Sequence, residues 1–298
     1  MKGLLSYNEN DSKALITAGW NPLNRGQPTS KDTTFNASIP LKFLMGFAED
    51  YQKILINVSQ ELILVRNRTN DNCNINVDGG RKAPIEIDKI EWHVPHVTVN
   101  DETRLQLLSS LRDNKPVYIP LRKWVLYELP ALRKTKTDIW PVKASTNLEK
   151  PRYVIIGFQN NRKDNFKQDD SICDHSSITN IKLYLNAENY PYNAMNIEMN
   201  EKRYVIAYRN YSAFQTSFYF KNATEPLLDY DEFGGNTLFV IDCSNQNESL
   251  KSGTIDIKLE LECTRSFDPE TIVVAYSLIL PDNIIQYEPL SGIVRKIV

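Results

Sequence analysis

Histidine is nearly absent from this chain, with three residues in 298, His93, His96 and His175. Imidazole is the side chain that most often moves protons near neutral pH, so any acid–base or nucleophilic site must be built around these three. Cysteine is sparse as well. Cys73, Cys173, Cys243 and Cys263 lie far apart with no C-x-x-C pair, which speaks against a zinc knuckle or a disulfide scaffold and for reduced, packed thiols. A dominant charge is also missing. The 35 basic and 37 acidic side chains leave a net charge of −2, too balanced for a surface that neutralises many phosphates, so direct sequence-specific nucleic acid is not an expected partner. No run approaches the roughly 20 apolar residues of a membrane span. The opening MKGLLSYNENDSK lacks the apolar stretch of a secretory signal, which leads us to expect synthesis in the cytoplasm or nucleus and no secretion.

What is present is ordinary globular composition, 41% apolar and 24% charged, in a chain long enough for two β domains of roughly 150 residues each. Asparagine makes up about a tenth of the residues, and N-x-S/T triplets begin at Asn10, Asn36, Asn57, Asn67, Asn210, Asn222 and Asn247. With no signal segment these reflect asparagine richness.

Alternation with period two dominates. Its cleanest instance is Thr254–Cys263, where Ile255, Ile257, Leu259, Leu261 and Cys263 alternate with Asp256, Lys258, Glu260 and Glu262, the pattern of a strand with one wet face. The same reading predicts strands over Ile54–Arg66, Ile85–Val94, Val117–Glu128, Tyr153–Gln159, Ile178–Asn186, Phe214–Phe220, Leu238–Asp242 and Thr271–Leu280. One segment departs from it. After Asn100 and Asp101, Leu105, Leu108 and Leu111 recur at helical spacing until Asn114 and Pro116, predicting a short amphipathic helix. Lys202–Ser212 suits a helix or a strand about equally.

An internal boundary is expected near Asp138–Pro151, a polar stretch without strand pattern bracketed by Pro141 and Pro151. It divides the chain into residues 1–145 and 146–298. Many short strands joined by long polar loops favour sandwiches or jelly rolls.

The candidates for chemistry are few. His93 and His96, three apart on an extended chain, point to opposite faces and do not share a metal. Cys173 and His175 sit in a polar loop after Asp169 and Asp170 and offer a nucleophile or a ligand, without an evident partner. Asp229, Asp231 and Glu232 form a second acidic cluster, but neither cluster has calcium-loop spacing, so solvated loop charge is the better account. Gly234 and Gly235 read as a turn. Between Lys115 and Lys150, eight basic residues (Lys115, Arg122, Lys123, Arg133, Lys134, Lys136, Lys143, Lys150) face three acidic ones (Glu128, Asp138, Glu149), a surface that suits solvent better than a packaged genome. No catalytic, cofactor-binding or metal-binding residue is assigned, and the chain is not read as an enzyme.

Three stretches in order carry a resemblance. Ile39 to Tyr51 (IPLKFLMGFAEDY) runs into Ile54–Arg66. Ile90 to His96 (IEWHVPH) precedes the helix at Asp101–Asp113 and then Pro116 to Pro120 (PVYIP). Lys150 to Gln159 (KPRYVIIGFQ) precedes Ile178 to Pro191 (ITNIKLYLNAENYP). In this order, over Ile39 to Ile297, they resemble the double jelly-roll major capsid proteins of large DNA viruses and of adintovirus-like and Polinton-like elements in animal genomes. The motifs are packing and turn residues, so their order carries the weight.

The resemblance implies a mainly all-β double jelly roll: two antiparallel β-sandwich barrels with one or two short helices, residues 1–145 holding the end of the first barrel and a linker, and 146–298 the second. Only 38 residues precede the IPL segment, so the first barrel is expected to be incomplete. Either Met1 is an internal methionine of a longer protein or the first strands have been lost. The implied function is a capsid shell subunit of the virion that forms homotrimeric pseudo-hexagonal capsomers, with itself, neighbouring capsomers and minor capsid proteins as partners and with no cofactor. The alternatives are a β-sandwich binding module for carbohydrate or a receptor, with Tyr204–Phe220 as an aromatic platform, or a domesticated relic that no longer assembles.

Overall fold

The computed structural model describes residues 1–19, 34, 36–68, 70, 85–112, 115–143, 150–221, 225–246, 254–264 and 270–297. Ten strands form two antiparallel sheets among them: β1 (Val117–Arg122), β2 (Val125–Leu129), β3 (Thr137–Lys143), β4 (Pro151–Asn160), β5 (Ile178–Leu185), β6 (Glu188–Tyr190), β7 (Phe239–Asp242), β8 (Ile257–Cys263), β9 (Val273–Glu288) and β10 (Ile293–Lys296). The larger sheet runs β1-β9-β4-β7, with β2 and β10 also paired to β9, and the smaller runs β3-β8-β5-β6. The architecture is mostly β, as the alternation predicts. Among the described residues six α-helices accompany it, more than the one or two expected: α1 (Lys2–Ser6), α2 (Glu9–Leu15), α3 (Gly46–Asp50), α4 (Asp101–Arg112), α5 (Val205–Tyr219) and α6 (Tyr230–Gly235).

The smaller sheet follows directly from its sequence. In β8, Ile257, Leu259, Leu261 and Cys263 are buried while the intervening charged residues face outward. Ile181, Leu183 and Leu185 of β5 join them in one core. On the wet face Tyr184 Oη donates to Glu260 Oε2 at 2.6 Å, and Lys182 pairs with Glu262 at 3.5 Å. Cross-strand pairs of this kind add about 0.2–1 kcal/mol each.

The larger sheet is apolar on both faces at β4, whose residues from Tyr153 to Gln159 are all buried. The reason is a helical layer. The Tyr153 ring meets those of Phe214 and Phe218 on α5 edge-on, at 5.2 and 5.4 Å between centroids. On the opposite face of β4, Phe158 meets Phe239 of β7 at 6.0 Å. Strands covered on both faces read as continuous apolar runs, which is why YVIIGF shows no alternation.

The strand expected at Phe214–Phe220 is instead the last part of α5. Its buried residues, Ala207, Tyr211, Phe214, Gln215 and Phe218, recur every three or four positions and so share one helical face. The ambiguous segment Lys202–Ser212 thereby becomes the start of that helix. Each fully buried aromatic contributes about 2 kcal/mol by leaving water.

Other boundaries shift for local reasons. Val117–Glu128 splits into β1 and β2 at Lys123 and Trp124. The stretch Asp138–Pro151, expected to be strandless, begins with β3, in which Asp138, Trp140 and Val142 are buried. Pro141 is tolerated because β3 is an edge strand, which needs no outward N–H. β9 runs eight residues beyond Leu280, through Pro281. Its first half pairs with β2 and β4, and its second half with β1 and β10 as a three-stranded wing.

Neither Ile54–Arg66 nor Ile85–Val94 is a strand, and no strand precedes Val117 among the described residues. The predicted helix is present as α4, capped by Asn100 Oδ1, which accepts from the Thr103 N–H at 2.9 Å. Its leucine face is not covered, since Leu105 and Leu108 remain 67% and 50% exposed. The N-terminal segment, by contrast, is built in. Leu4 and Leu5 are buried, and Tyr211 Oη donates to the Leu4 carbonyl at 2.7 Å.

Candidate functional site

The loop holding Cys173 and His175 is a structural clasp. Arg162 reaches Asp174 through Nε and Nη2, both at 2.8 Å, and Asp174 Oδ2 also accepts from the Asn160 N–H at 2.8 Å. Such a bidentate guanidinium–carboxylate pair holds one geometry. Cys173 lies inside the core, its N–H donating to Asn236 Oδ1 at 2.8 Å, and burial pushes its thiol pKa up, so the reactive thiolate is disfavoured. His175 is spent locally: Nδ1 accepts from the Ser177 N–H at 3.0 Å, and burial lowers its pKa. Cys173 and His175, which the sequence offered as a nucleophile or a ligand, are thus held in the core and in a local hydrogen bond.

The acidic cluster at Asp229–Glu232 caps α6. Asp229 Oδ1 accepts from the Glu232 N–H at 2.7 Å, and Glu232 Oε2 accepts from the Asp229 N–H at 3.1 Å. The D-x-x-E spacing was the available signal for such a reciprocal cap. The two glycines end that helix instead of forming a free turn. Among the described residues no group of three or more His, Cys, Asp and Glu is placed to hold a metal ion. His93 and His96 lie on an exposed segment without regular secondary structure.

The basic run dissolves in part into ion pairs. Arg122 pairs with Asp50 and Arg133 with Asp138, while residues 144–149 lie outside the described ones. Cys173, Cys243 and Cys263 are buried free thiols, as expected; Cys73 lies outside the described residues.

The proposed aromatic platform is filled from within. Tyr204, Tyr211, Phe214 and Phe218 are 1–4% exposed. Tyr204 stacks on Tyr230 at 4.5 Å, and Tyr208 meets Phe233 edge-on at 5.5 Å. These rings join α5 to α6, while Phe220 at the end of the segment is exposed.

The surface that stands out is apolar and lies elsewhere. Of the twenty-seven exposed large apolar residues described, thirteen fall between Ile39 and Leu108 and five on the wing or its β9–β10 turn. The arm of residues 52–68 and 85–99 has no regular secondary structure and makes no backbone-to-backbone hydrogen bond among the described residues. Val65 is 90% exposed. Backbone and apolar groups left open together are a hallmark of surfaces that await a partner. No motif marks this in the sequence, because the same alternation describes a covered strand and an uncovered one.

Two antiparallel sheets over one core define a β-sandwich protein of the jelly-roll type. The chain belongs to the double jelly roll-like domain family, whose match runs over residues 1–285. Among solved structures it is similar to a chain of the Sputnik virophage (9% identity, 61% of this chain and 39% of that one, TM-score 0.37). It is also similar to VP54 of PBCV-1 (10%, 67% and 55%, TM-score 0.35) and to the mavirus major capsid protein (8%, 62% and 42%, TM-score 0.32). The matched region thus spans from about two fifths to just over half of those chains. No curated protein matches the sequence. No helix among the described residues is long and apolar enough to cross a membrane.

Proposed function

We propose that this protein is a structural subunit of a virion shell that assembles with copies of itself, as a homotrimeric capsomer, and performs no catalysis. The observation that carries the reading is the exposed apolar surface of the arm and wing in a member of the double jelly roll-like family. A stable protein–protein interface buries about 800 Å² per partner around an apolar centre, and this surface supplies such a centre. Burial of Tyr204, Tyr211, Phe214 and Phe218 in the core speaks against the alternative of a carbohydrate- or receptor-binding module. Virion localisation and contacts with neighbouring or minor capsid proteins follow from the same reading.

The test is native mass by light scattering on the purified full chain across a concentration series. A trimer supports the proposal. A well-folded monomer at every concentration overturns it and leaves a relic that no longer assembles.

A further inference from the structure

An open sheet edge recruits another strand, and natural sheets guard against this with short strands, prolines, charges or cover. Most edges here are guarded. Pro120 interrupts β1 and Pro141 interrupts β3. Strand β6 has three residues, three of the four residues of β7 are buried, and β10 carries Arg295 and Lys296 within four residues.

Strand β2 is guarded least. Its five residues, Val125–Leu129, include no proline, and its one charge, Glu128, is paired with Lys163 of the same chain. It pairs only with β9, and its backbone makes no hydrogen bond outside that pairing among the described residues.

The bonds along β9 fix which groups of β2 point away from it. On the β2 side the Leu132 N–H donates to the Val273 carbonyl at 2.8 Å, and on the β4 side the Asn161 N–H donates to the Ile272 carbonyl at 2.9 Å. Ladder bonds alternate between a strand's two neighbours, so the odd-numbered residues of β9 serve β2. They oppose Val125, Tyr127 and Leu129. The N–H and C=O groups of Leu126 and Glu128 are left on the open edge, where Leu126 is 56% exposed.

This edge is complementary to itself. In an antiparallel two-fold pair centred on Tyr127, all five residues find an opposite number. Leu126 meets Glu128, and the free groups of both are used. Val125 meets Leu129 and Tyr127 meets Tyr127, apolar and aromatic pairs of the kind that stabilise a ladder. A slip of one residue turns these side chains to the wrong face. A slip of two keeps only three residues of each strand in the ladder and, in one direction, sets Glu128 against Glu128.

We infer that β2 pairs with β2 of a second copy across a two-fold axis at Tyr127, continuing the larger sheet of one copy into that of the other. Such an isologous contact joins copies in pairs and does not close a three-fold ring, so it links one trimer to the next. The inference rests on the self-assembly reading and names a contact between its trimers.

Two differently tagged full-length chains with Cys73→Ser, one carrying L126C and the other E128C, are mixed and oxidised with copper phenanthroline; Cys173, Cys243 and Cys263 are buried. Sedimentation over a concentration series, with thermal melts alongside, follows L126P and L126T. The expected cross-link joins differently tagged chains and does not form between L126C chains alone. In L126P, which lacks only an outward N–H, association between trimers is expected to weaken on the order of tenfold, with trimer mass and melting temperature unchanged; L126T retains association. Trimers that give no such cross-link, or that associate equally well in L126P, overturn this contact while the self-assembly reading stands. Cross-linked pairs without trimers overturn the capsomer and leave the contact. A chain that stays monomeric in every form overturns both.

Discussion

Asp50 at the end of α3 holds Arg122 at the end of β1 through its main chain and its side chain at once. Oδ2 accepts from the Arg122 N–H at 2.6 Å and Oδ1 from Nε at 2.8 Å. The guanidinium lies 4.5 Å over the Tyr219 ring centroid and 5.4 Å over that of Phe218. One arginine thus ties the N-terminal segment, the wing and α5 together, and its carboxylate partners, Asp50 and Glu49, outweigh the cost of burial and raise its pKa.

Asp50→Ala leaves a partly buried guanidinium and a main-chain N–H without their acceptor. The expected loss is about 2 kcal/mol in chemical denaturation, the range for hydrogen bonds to charged groups. Arg122→Lys is expected to cost a similar amount despite its charge, because an ammonium cannot form the fork or stack on the rings in the same way. Wild-type stability in either variant would refute the bridging role.

Gly46 is the other half of this junction. A Cβ built there would stand 1.6 Å from the Arg122 carbonyl oxygen, a backbone atom that cannot yield without moving β1. Gly46→Ala is expected to destabilise by about 3 kcal/mol, at the upper end for overpacking. Gly235→Ala meets nothing within 4 Å and is expected to be neutral or stabilising by up to about 1 kcal/mol. Thermal melts of the pair decide whether the close approach, or glycine in general, matters.

Asp170 is expected to make the loop of residues 161–174 sensitive to pH. Burial first, then the carboxylates of Asp164 and Asp169, push its pKa up to about 6, against the opposing pull of Arg162. A carboxyl raised above its unfolded value of about 3.9 is fully tolerated while protonated, so its contribution to stability is lost as pH rises from about 4 through 6. Asp170→Asn is expected to abolish that dependence and to slow amide exchange in the loop at pH 7.5, by on the order of 1 kcal/mol because solvent screens a partly exposed group. Unchanged exchange in the variant would remove Asp170 as the cause.

The β-rich class, the alternating faces of β5 and β8, the cap at Asn100 and the reduced thiols were legible in the sequence because each is local. A period of two or of 3.6, a capping side chain and a cysteine spacing are all properties of a short window. The candidate site was legible only as apolar segments without an address.

The rest was decided by tertiary structure. The apolar residues around Phe214–Phe220 suit a strand until β4 and β7 offer a flat apolar face, on which a helical stripe of Tyr211, Phe214 and Phe218 buries more surface. Ile85–Val94 has strand composition, yet hydrogen bonds belong to pairs of strands, and composition names no partner. By itself the sequence determined which segments can be strands and which residues can be buried. The tertiary structure decided which of them find a neighbour, because pairing joins residues more than a hundred positions apart, such as Thr137 with Glu262 and Val117 with Tyr287.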